Sequence, residues 1–145
     1  MRRFARVACS SAVLMASIVL GTPTSSAATS PLDASTITFS GSPDGTVKTT
    51  RKVSVPAGGG LGVYGKNTDS SADLFHTRLE FDIYSDDGRN VTDQFVTDYL
   101  NMGEVINQRV PVSNAHSYYI RVECKVIIGI GYDGCDGTFT ISSWA

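Results

Sequence analysis

Apolar and polar residues alternate with a period of two along most of this chain, and this alternation limits the folds open to it. The clearest case is the range 79–84, where the odd positions are apolar and the even positions suit water. Successive side chains of a β-strand point to opposite faces, so this pattern is typical of a strand with one buried face. The predicted inward residues are Leu79, Phe81 and Ile83, and the predicted outward ones are Glu80, Asp82 and Tyr84.

Asp-Gly pairs separate several of the alternating stretches. Such pairs accommodate the positive φ of tight turns and therefore indicate turns between strands. They are Asp44-Gly45, Asp87-Gly88, Asp133-Gly134 and Asp136-Gly137. We predict seven strands, near residues 36–40, 46–55, 61–66, 74–85, 105–112, 117–128 and 137–144. Seven short strands with turns between them predict an all-β fold, an antiparallel β-sandwich of the jelly-roll or immunoglobulin-like type over residues 36–145.

One segment departs from the period of two. Residues 92–102 carry apolar side chains at a helical spacing, with Thr92 as a plausible N-cap and Asp93 in the first turn. We predict a short helix here that bridges the two sheets. The alternative is an irregular crossover loop.

The N-terminus has the features of an export signal. Arg2, Arg3 and Arg6 form a basic region, and a charge-free, mostly apolar run of 14 residues follows at 7–20. Small residues at 26–28 supply a cleavage site, so residues 1–28 are predicted to be a signal peptide cleaved near Ala28. The apolar run is shorter than the ~20 residues that a transmembrane helix needs. The sequence therefore predicts secretion, and no membrane association after cleavage.

Removal of the signal changes the charge of the chain. It takes away three arginines and no acid, which leaves 9 basic against 14 acidic residues, a net charge of −5 on 117 residues. An acidic domain of this size has no electrostatic reason to bind nucleic acid or anionic lipid. Residues 29–35 are predicted to be a flexible lead-in to the single domain.

The three cysteines have two different predicted fates. Cys9 lies inside the signal, whereas Cys124 and Cys135 remain and are predicted to form a structural disulfide. Their spacing fits no C-x-x-C motif, and no histidine is near them in sequence. We place them opposite each other in a β-hairpin, because that register also matches apolar partners on one face. The expected cross-strand pairs are Val122 with Gly137, Ile120 with Phe139, and Tyr118 with Ile141.

An oxygen-rich segment, residues 86–93, is the best candidate for metal chemistry. Asp86, Asp87, Asn90 and Asp93 lie within eight residues at the end of a predicted strand. Calcium prefers several hard oxygen ligands from flexible loops, so this segment is a candidate calcium site. The alternative is a plain hairpin turn followed by a helix cap.

A second candidate site lies on the outward face of the predicted C-terminal hairpin. Tyr119, Arg121 and Trp144 would share that face, and aromatic and arginine side chains are what binding surfaces use. The alternative is an ordinary exposed surface. Thr138, Thr140 and Ser142 would lie beside them.

The chain also resembles a known family over residues 52–141. The residues that carry the resemblance are Val53-Ser54-Val55-Pro56-Ala57-Gly58, Leu61-Gly62-Val63, Asp73-Leu74, Phe81-Asp82-Ile83-Tyr84, Asp87-Gly88, Ser117-Tyr118-Tyr119-Ile120-Arg121-Val122 and Gly137-Thr138-Phe139-Thr140-Ile141. In these it is similar to the bacterial pre-peptidase C-terminal domain, a jelly-roll-like β-sandwich appended to secreted enzymes. The resemblance implies a binding or solubility module, sometimes with calcium, and no catalysis.

Taken together, these features favour a secreted, non-enzymatic recognition module for a polysaccharide, a cell surface or an extracellular protein. A secreted protease inhibitor or antagonist toxin is the alternative, with the loop Gly129–Gly134 as its contact element. An enzyme is third, because the chain has no Gly-x-Ser-x-Gly motif and nothing in the sequence links a nucleophile to a base.

Overall fold

A computed structural model describes residues 30–69, 76–128 and 134–145 of the chain. Within these residues the chain forms nine β-strands and a single 3-10 turn, at Thr92–Gln94. The strands are β1 (Asp33–Ser42), β2 (Val47–Thr49), β3 (Val53–Val55), β4 (Gly60–Asn67), β5 (His76–Ser85), β6 (Tyr99–Asn101), β7 (Val105–Pro111), β8 (His116–Ile128) and β9 (Cys135–Trp144).

The strands build two antiparallel sheets that pack as a sandwich. The four-stranded sheet has the order β1-β9-β4-β7. The five-stranded sheet has the order β2-β8-β5-β6, and β3 pairs with β8 beyond the end of β2. The predicted all-β sandwich is thus confirmed. If β2 and β3 are counted as two halves of one strand, this order is that of an eight-stranded jelly roll, one of the two types that the sequence left open.

The core lies between the two sheets and consists of the residues that alternate inward. All the predicted inward residues of the range 79–84 are buried. Phe81 of β5 and Phe139 of β9 meet across the core, with ring centroids 5.2 Å apart. The residues between the inward ones in each strand point outward from the sandwich, and these outward rows are where a ligand can reach the fold.

Most strand bounds lie within a few residues of the predicted ones, and three differences change the strand assignment. β1 begins at Asp33, so residues 33–35 belong to a strand and not to a flexible lead-in. The predicted strand 46–55 is divided into β2 and β3, because Thr50 turns inward and both donates to and accepts from the backbone of Ile120, at 3.0 Å each. β6 was not predicted. The turns at Gly45 and Gly88 have the expected positive φ, whereas Gly137 lies inside β9.

The predicted helix at 92–102 is wrong. Thr92 does not act as a helix cap; its hydroxyl accepts the backbone N–H of Ile83 at 2.8 Å. The backbone oxygen of Asp98 accepts the N–H of Phe81 at 2.7 Å. The backbone N–H groups on this edge of β5 need hydrogen-bond acceptors, and an extended segment supplies them. A helix would use its own backbone oxygens for hydrogen bonds within the helix. Only one 3-10 turn survives, and the segment then extends into β6.

The disulfide between Cys124 and Cys135 is confirmed, but the hairpin predicted around it is wrong. β8 belongs to the five-stranded sheet and β9 to the four-stranded sheet, so the bond joins the two sheets, with a Cα–Cα distance of 5.8 Å. In the ladders, Cys124 faces Leu79 and Cys135 faces Ser42. The alternation identified the inward residues correctly. It could not tell neighbours within one sheet from residues that face each other across a core.

Candidate functional site

The outward side chains of β5 and β8 form a surface that we call the five-strand face. The ladder between them is regular from Thr77 to Ser85 of β5, so the outward residues in this range stand directly opposite residues of β8 in rows. Side chains opposite each other on antiparallel strands are close enough to contact. The rows are Tyr84 with Tyr119, Asp82 with Arg121, Glu80 with Glu123, and Arg78 with Lys125.

A pair of stacked tyrosines occupies one end of the five-strand face. The rings of Tyr84 and Tyr119 have centroids 5.5 Å apart and planes inclined by 23°. Both side chains are partly exposed. Because each ring packs against the other, the pair is held in one orientation before any ligand arrives. Tyr119 is thus placed where it was predicted, on an outward face, and Tyr84 is its unforeseen partner.

Ion pairs fill the centre of the face. Arg121 lies 3.9 Å from Asp82 and 3.3 Å from Glu123. Lys125 also hydrogen-bonds Glu123, which lowers the pKa of that carboxyl and raises the pKa of the lysine. Glu80 faces Glu123 directly, a like-charge pair that is offset because Arg78 lies 3.8 Å from Glu80. The predicted binding residue Arg121 is therefore the hub of a network in which each charge has a partner.

A third aromatic residue borders the five-strand face on the side of β6, next to the row of Glu80. Tyr99 of β6 pairs with Glu80 across the ladder, and it is 38% exposed. The guanidinium of Arg78 lies over its ring, 4.4 Å from the centroid, which is a cation–π contact. This tyrosine was not predicted as a site residue, because the segment that holds it was expected to be helical.

A hollow of about 400 Å³ adjoins the tyrosine pair beside Tyr119. Its lining comes mainly from the β2–β3 junction and from the turn after β5, and it offers both polar and apolar atoms. Arg51 in this wall is held by two hydrogen bonds to Asp33, at 2.5 and 3.0 Å. The lining residues are Thr49, Thr50, Arg51, Lys52, Ser85, Asp86, Gly88 and Tyr119.

The structure divides the four predicted calcium ligands. Asp86 and Asp87 lie with His116, and one ligand atom from each lies within 4.8 Å of the others. Asn90 instead donates to Asp82 at 3.2 Å and accepts the backbone N–H of Thr92 at 2.9 Å. Asp93 lines a hollow of about 540 Å³ together with Asn90, and neither Asp86 nor Asp87 lines it.

The Asp86–Asp87 turn is held by hydrogen bonds within the protein. His116 Nδ1 lies 2.9 Å from Asp86 Oδ1, and this hydrogen bond lowers the pKa of Asp86. The hydroxyl of Ser85 donates to Asp87, which lowers the pKa of that carboxyl, and the N–H of Arg89 donates to the same oxygen at 3.2 Å. These bonds are those of a turn that caps β5. His116 was not foreseen here, since it lies 30 residues away in sequence.

Trp144 does not join the other two predicted binding residues. It lies on the outer face of the four-stranded sheet, on the opposite side of the molecule from Tyr119 and Arg121. Its indole covers Gly62, and the guanidinium of Arg109 lies 4.8 Å from the ring centroid. Its Nε1 donates to the hydroxyl of Ser142 at 3.0 Å. The prediction that Trp144 shares a face with Tyr119 and Arg121 depended on the predicted hairpin. It is wrong because β8 and β9 lie in different sheets.

Comparisons with known protein families, with curated proteins and with solved structures found no match for this chain. Fold and site therefore define its class only as a two-sheet antiparallel β-sandwich. In the part of the chain that the structure describes, no helix is long and apolar enough to span a membrane. The predicted signal at 1–28 and, except for Gly134, the loop Gly129–Gly134 lie outside the described residues.

Proposed function

We propose that this protein is an exported, non-enzymatic recognition module that binds a polysaccharide on the five-strand face. The observation that carries the proposal is the stacked pair of Tyr84 and Tyr119 on an open sheet face, beside a hollow that offers both polar and apolar atoms. An aromatic ring offers an apolar surface to the C–H groups of a sugar, and nearby polar groups can bond its hydroxyls.

The charge of the chain supports a sugar ligand over other polymers. Residues 29–145 carry 14 acidic and 9 basic side chains, so a nucleic acid or an anionic membrane would be repelled. Export, with cleavage near Ala28, is part of the same proposal, because a structural disulfide persists in oxidising compartments outside the cytoplasm. The similarity to pre-peptidase C-terminal domains noted over residues 52–141 supports a binding module as well.

The test is affinity electrophoresis of the purified, oxidised protein in native gels that contain a soluble polysaccharide. We use hydroxyethyl cellulose, soluble starch, galactomannan and laminarin as probes. At least one should retard the protein, and Tyr119→Ala and Tyr84→Ala should each abolish the retardation. The matched control is Tyr64→Ala, which removes a tyrosine that is 41% exposed on the outer face of the other sheet.

Each variant must first show the near-UV circular dichroism and melting temperature of a folded protein. If no polysaccharide retards the folded wild type, or if Tyr64→Ala weakens binding as much as Tyr119→Ala, the proposal fails. Inhibition of a protease or of bacterial growth without retardation would favour the inhibitor or toxin alternative.

A further inference from the structure

The five-strand face has the tyrosine pair at one end, Tyr99 beside its row of Glu80, and balanced charges along its length. We infer that its ligand is a neutral polysaccharide, bound as an extended chain that runs along β5 from the tyrosine pair to Tyr99. This inference rests on the proposed function and narrows it to one class of ligand.

The spacing of the aromatic groups indicates an extended ligand. Tyr84 and Glu80 are four residues apart on β5, which is about 13 Å along a strand. Tyr99 stands opposite Glu80 on the adjacent strand. A ligand that contacts both the tyrosine pair and Tyr99 must therefore cover several sugar units, whereas a monosaccharide or disaccharide reaches only one of these two groups.

The charges of the face indicate a neutral ligand. The outward residues of β5 and β8 comprise three cations and three carboxylates, and each belongs to an ion pair. Asp98, at the rim of the hollow beside Tyr99, adds one more carboxylate. An anionic polymer would thus gain no net attraction. The three cations are Arg78, Arg121 and Lys125, and the three carboxylates are Glu80, Asp82 and Glu123.

The ion pairs also suit hydroxyl groups as ligands. Each pair places a carboxylate next to a cation, and both side chains remain partly exposed. A hydroxyl can donate to a carboxylate oxygen and accept from a guanidinium at the same time. The centre of the face therefore offers donors and acceptors side by side, between the tyrosine pair and Tyr99.

The experiment compares two probes that share a backbone and differ in charge, the neutral hydroxyethyl cellulose and the anionic carboxymethyl cellulose, alongside the other neutral polysaccharides. Retardation is measured at low and at high ionic strength. We expect a neutral probe to be bound, with an affinity that salt leaves unchanged, because screening weakens only interactions between net charges. Stronger retardation by the anionic probe, lost at high salt, overturns the inference while the proposed function stands.

Chain length is tested with oligosaccharides from disaccharide to octasaccharide, cut from the polysaccharide that retards the protein, in titration calorimetry. Affinity should rise with length until the chain reaches Tyr99. Tyr99→Ala should weaken the longest oligosaccharide about tenfold and leave the shortest unchanged. Tyr64→Ala is again the control. If the affinity is already maximal for the disaccharide, or if Tyr99→Ala leaves the affinity for the longest oligosaccharide unchanged, the ligand is not bound as an extended chain. If the wild type binds none of the oligosaccharides and none of the polysaccharides, the proposed function itself fails.

Discussion

Cys124 and Cys135 tie the five-stranded sheet to the four-stranded sheet at one end of the sandwich. Their Cα atoms are 5.8 Å apart, well inside the ~10 Å that separates packed sheets, so the two layers converge at this bond. The backbone oxygen of Ser42, on β1, lies 3.1 Å from the sulfur of Cys124. A crosslink of this kind restrains the approach of two layers, whereas a bond within a hairpin would restrain one ladder.

Removal of the disulfide should therefore destabilise the sandwich without changing its strand order. We expect the double variant Cys124→Ala with Cys135→Ala to lose about 3 kcal/mol of unfolding free energy, the entropy of closing a loop of this length. Urea denaturation of the double variant and of the oxidised wild type measures the loss. The double variant leaves no free thiol, so reduced wild type serves as the control and should match it.

The sheet assignment around the bond can be checked separately by NMR. Nuclear Overhauser effects between backbone protons on paired strands should connect Leu79 with Cys124 and Ser42 with Cys135. Nuclear Overhauser effects between the backbone protons of Ile120 and Phe139 would instead support the predicted hairpin.

The alternation in the sequence was enough to predict most of the strands and their inward residues, but not the arrangement of the strands. A period of two states which face of a strand is buried. The same apolar residues, such as Ile120 and Phe139, would be buried together in one ladder or across a core. Choosing between these requires the long-range pairing of β8 with β5, which no local pattern contains. The helix at 92–102 failed for a related reason, since the edge of β5 overrides local helical spacing.

The candidate site shows the same division. Tyr119 and Arg121 could be predicted, because an outward aromatic and an outward arginine are visible in the alternation of one strand. Tyr84 was also predicted to face water, but its contact with Tyr119 depends on the pairing of β5 with β8. Tyr99 depends on β6, and the Asp86–His116 contact joins elements 30 residues apart. A site built across strands is therefore visible from sequence only one strand at a time.

Acid should destabilise the protein through its paired carboxylates. The pKa of Asp86 is lowered from 3.8 chiefly because His116 hydrogen-bonds it, and Asp33, Asp87 and Glu123 are lowered by their own partners. A lowered pKa stabilises the folded state above the ordinary carboxyl pKa, and that stability is lost as the pH falls through the folded value. The unfolding free energy should therefore drop in this acidic range.

The Asp86 contribution can be isolated by mutation. His116→Gln should return the pKa of Asp86 toward its ordinary value, because the histidine is the largest cause of the shift. An NMR titration of the Asp86 carboxyl carbon measures this directly. His76→Gln, which changes an exposed histidine at the start of β5, is the matched control and should leave Asp86 unchanged. If the pKa of Asp86 is the same in His116→Gln as in the wild type, the hydrogen bond between His116 and Asp86 is contradicted.

Asp69 should contribute a pH dependence of the opposite sign. Partial burial raises its pKa above 3.8, although Thr77 and the backbone of Asp136 hydrogen-bond it. Because the pKa of this carboxyl is raised in the folded state, its contribution to the unfolding free energy is greatest at low pH and is lost as the pH rises through the folded pKa. We expect Asp69→Asn to raise the unfolding free energy modestly at neutral pH and to have no such benefit in acid. Asp98→Asn, at an exposed aspartate, is the control for loss of one negative charge.

Calcium should leave the stability of the protein unchanged. The amide of Asn90 is occupied by Asp82 and Thr92, and Asp93 faces a different hollow from Asp86 and Asp87. The four side chains therefore do not offer the converging oxygens that calcium needs. The melting temperature, measured with chelator and with millimolar calcium, should agree. A rise with calcium that Asp87→Asn abolishes would instead support the predicted calcium site.

Gly62 makes room for Trp144 on the outer face of the four-stranded sheet. A Cβ atom at position 62 would lie 2.7 Å from the indole Nε1 and 2.6 Å from the hydroxyl of Ser142. Gly62→Ala should therefore displace the indole and cost about 1–3 kcal/mol of unfolding free energy through overpacking. Trp144 is the only tryptophan in the sequence, so its fluorescence reports the displacement without ambiguity. We expect a red shift in Gly62→Ala and an unchanged spectrum in Tyr64→Ala, two residues along the same strand. An unshifted, fully stable Gly62→Ala variant would mean that the indole does not cover this glycine in solution.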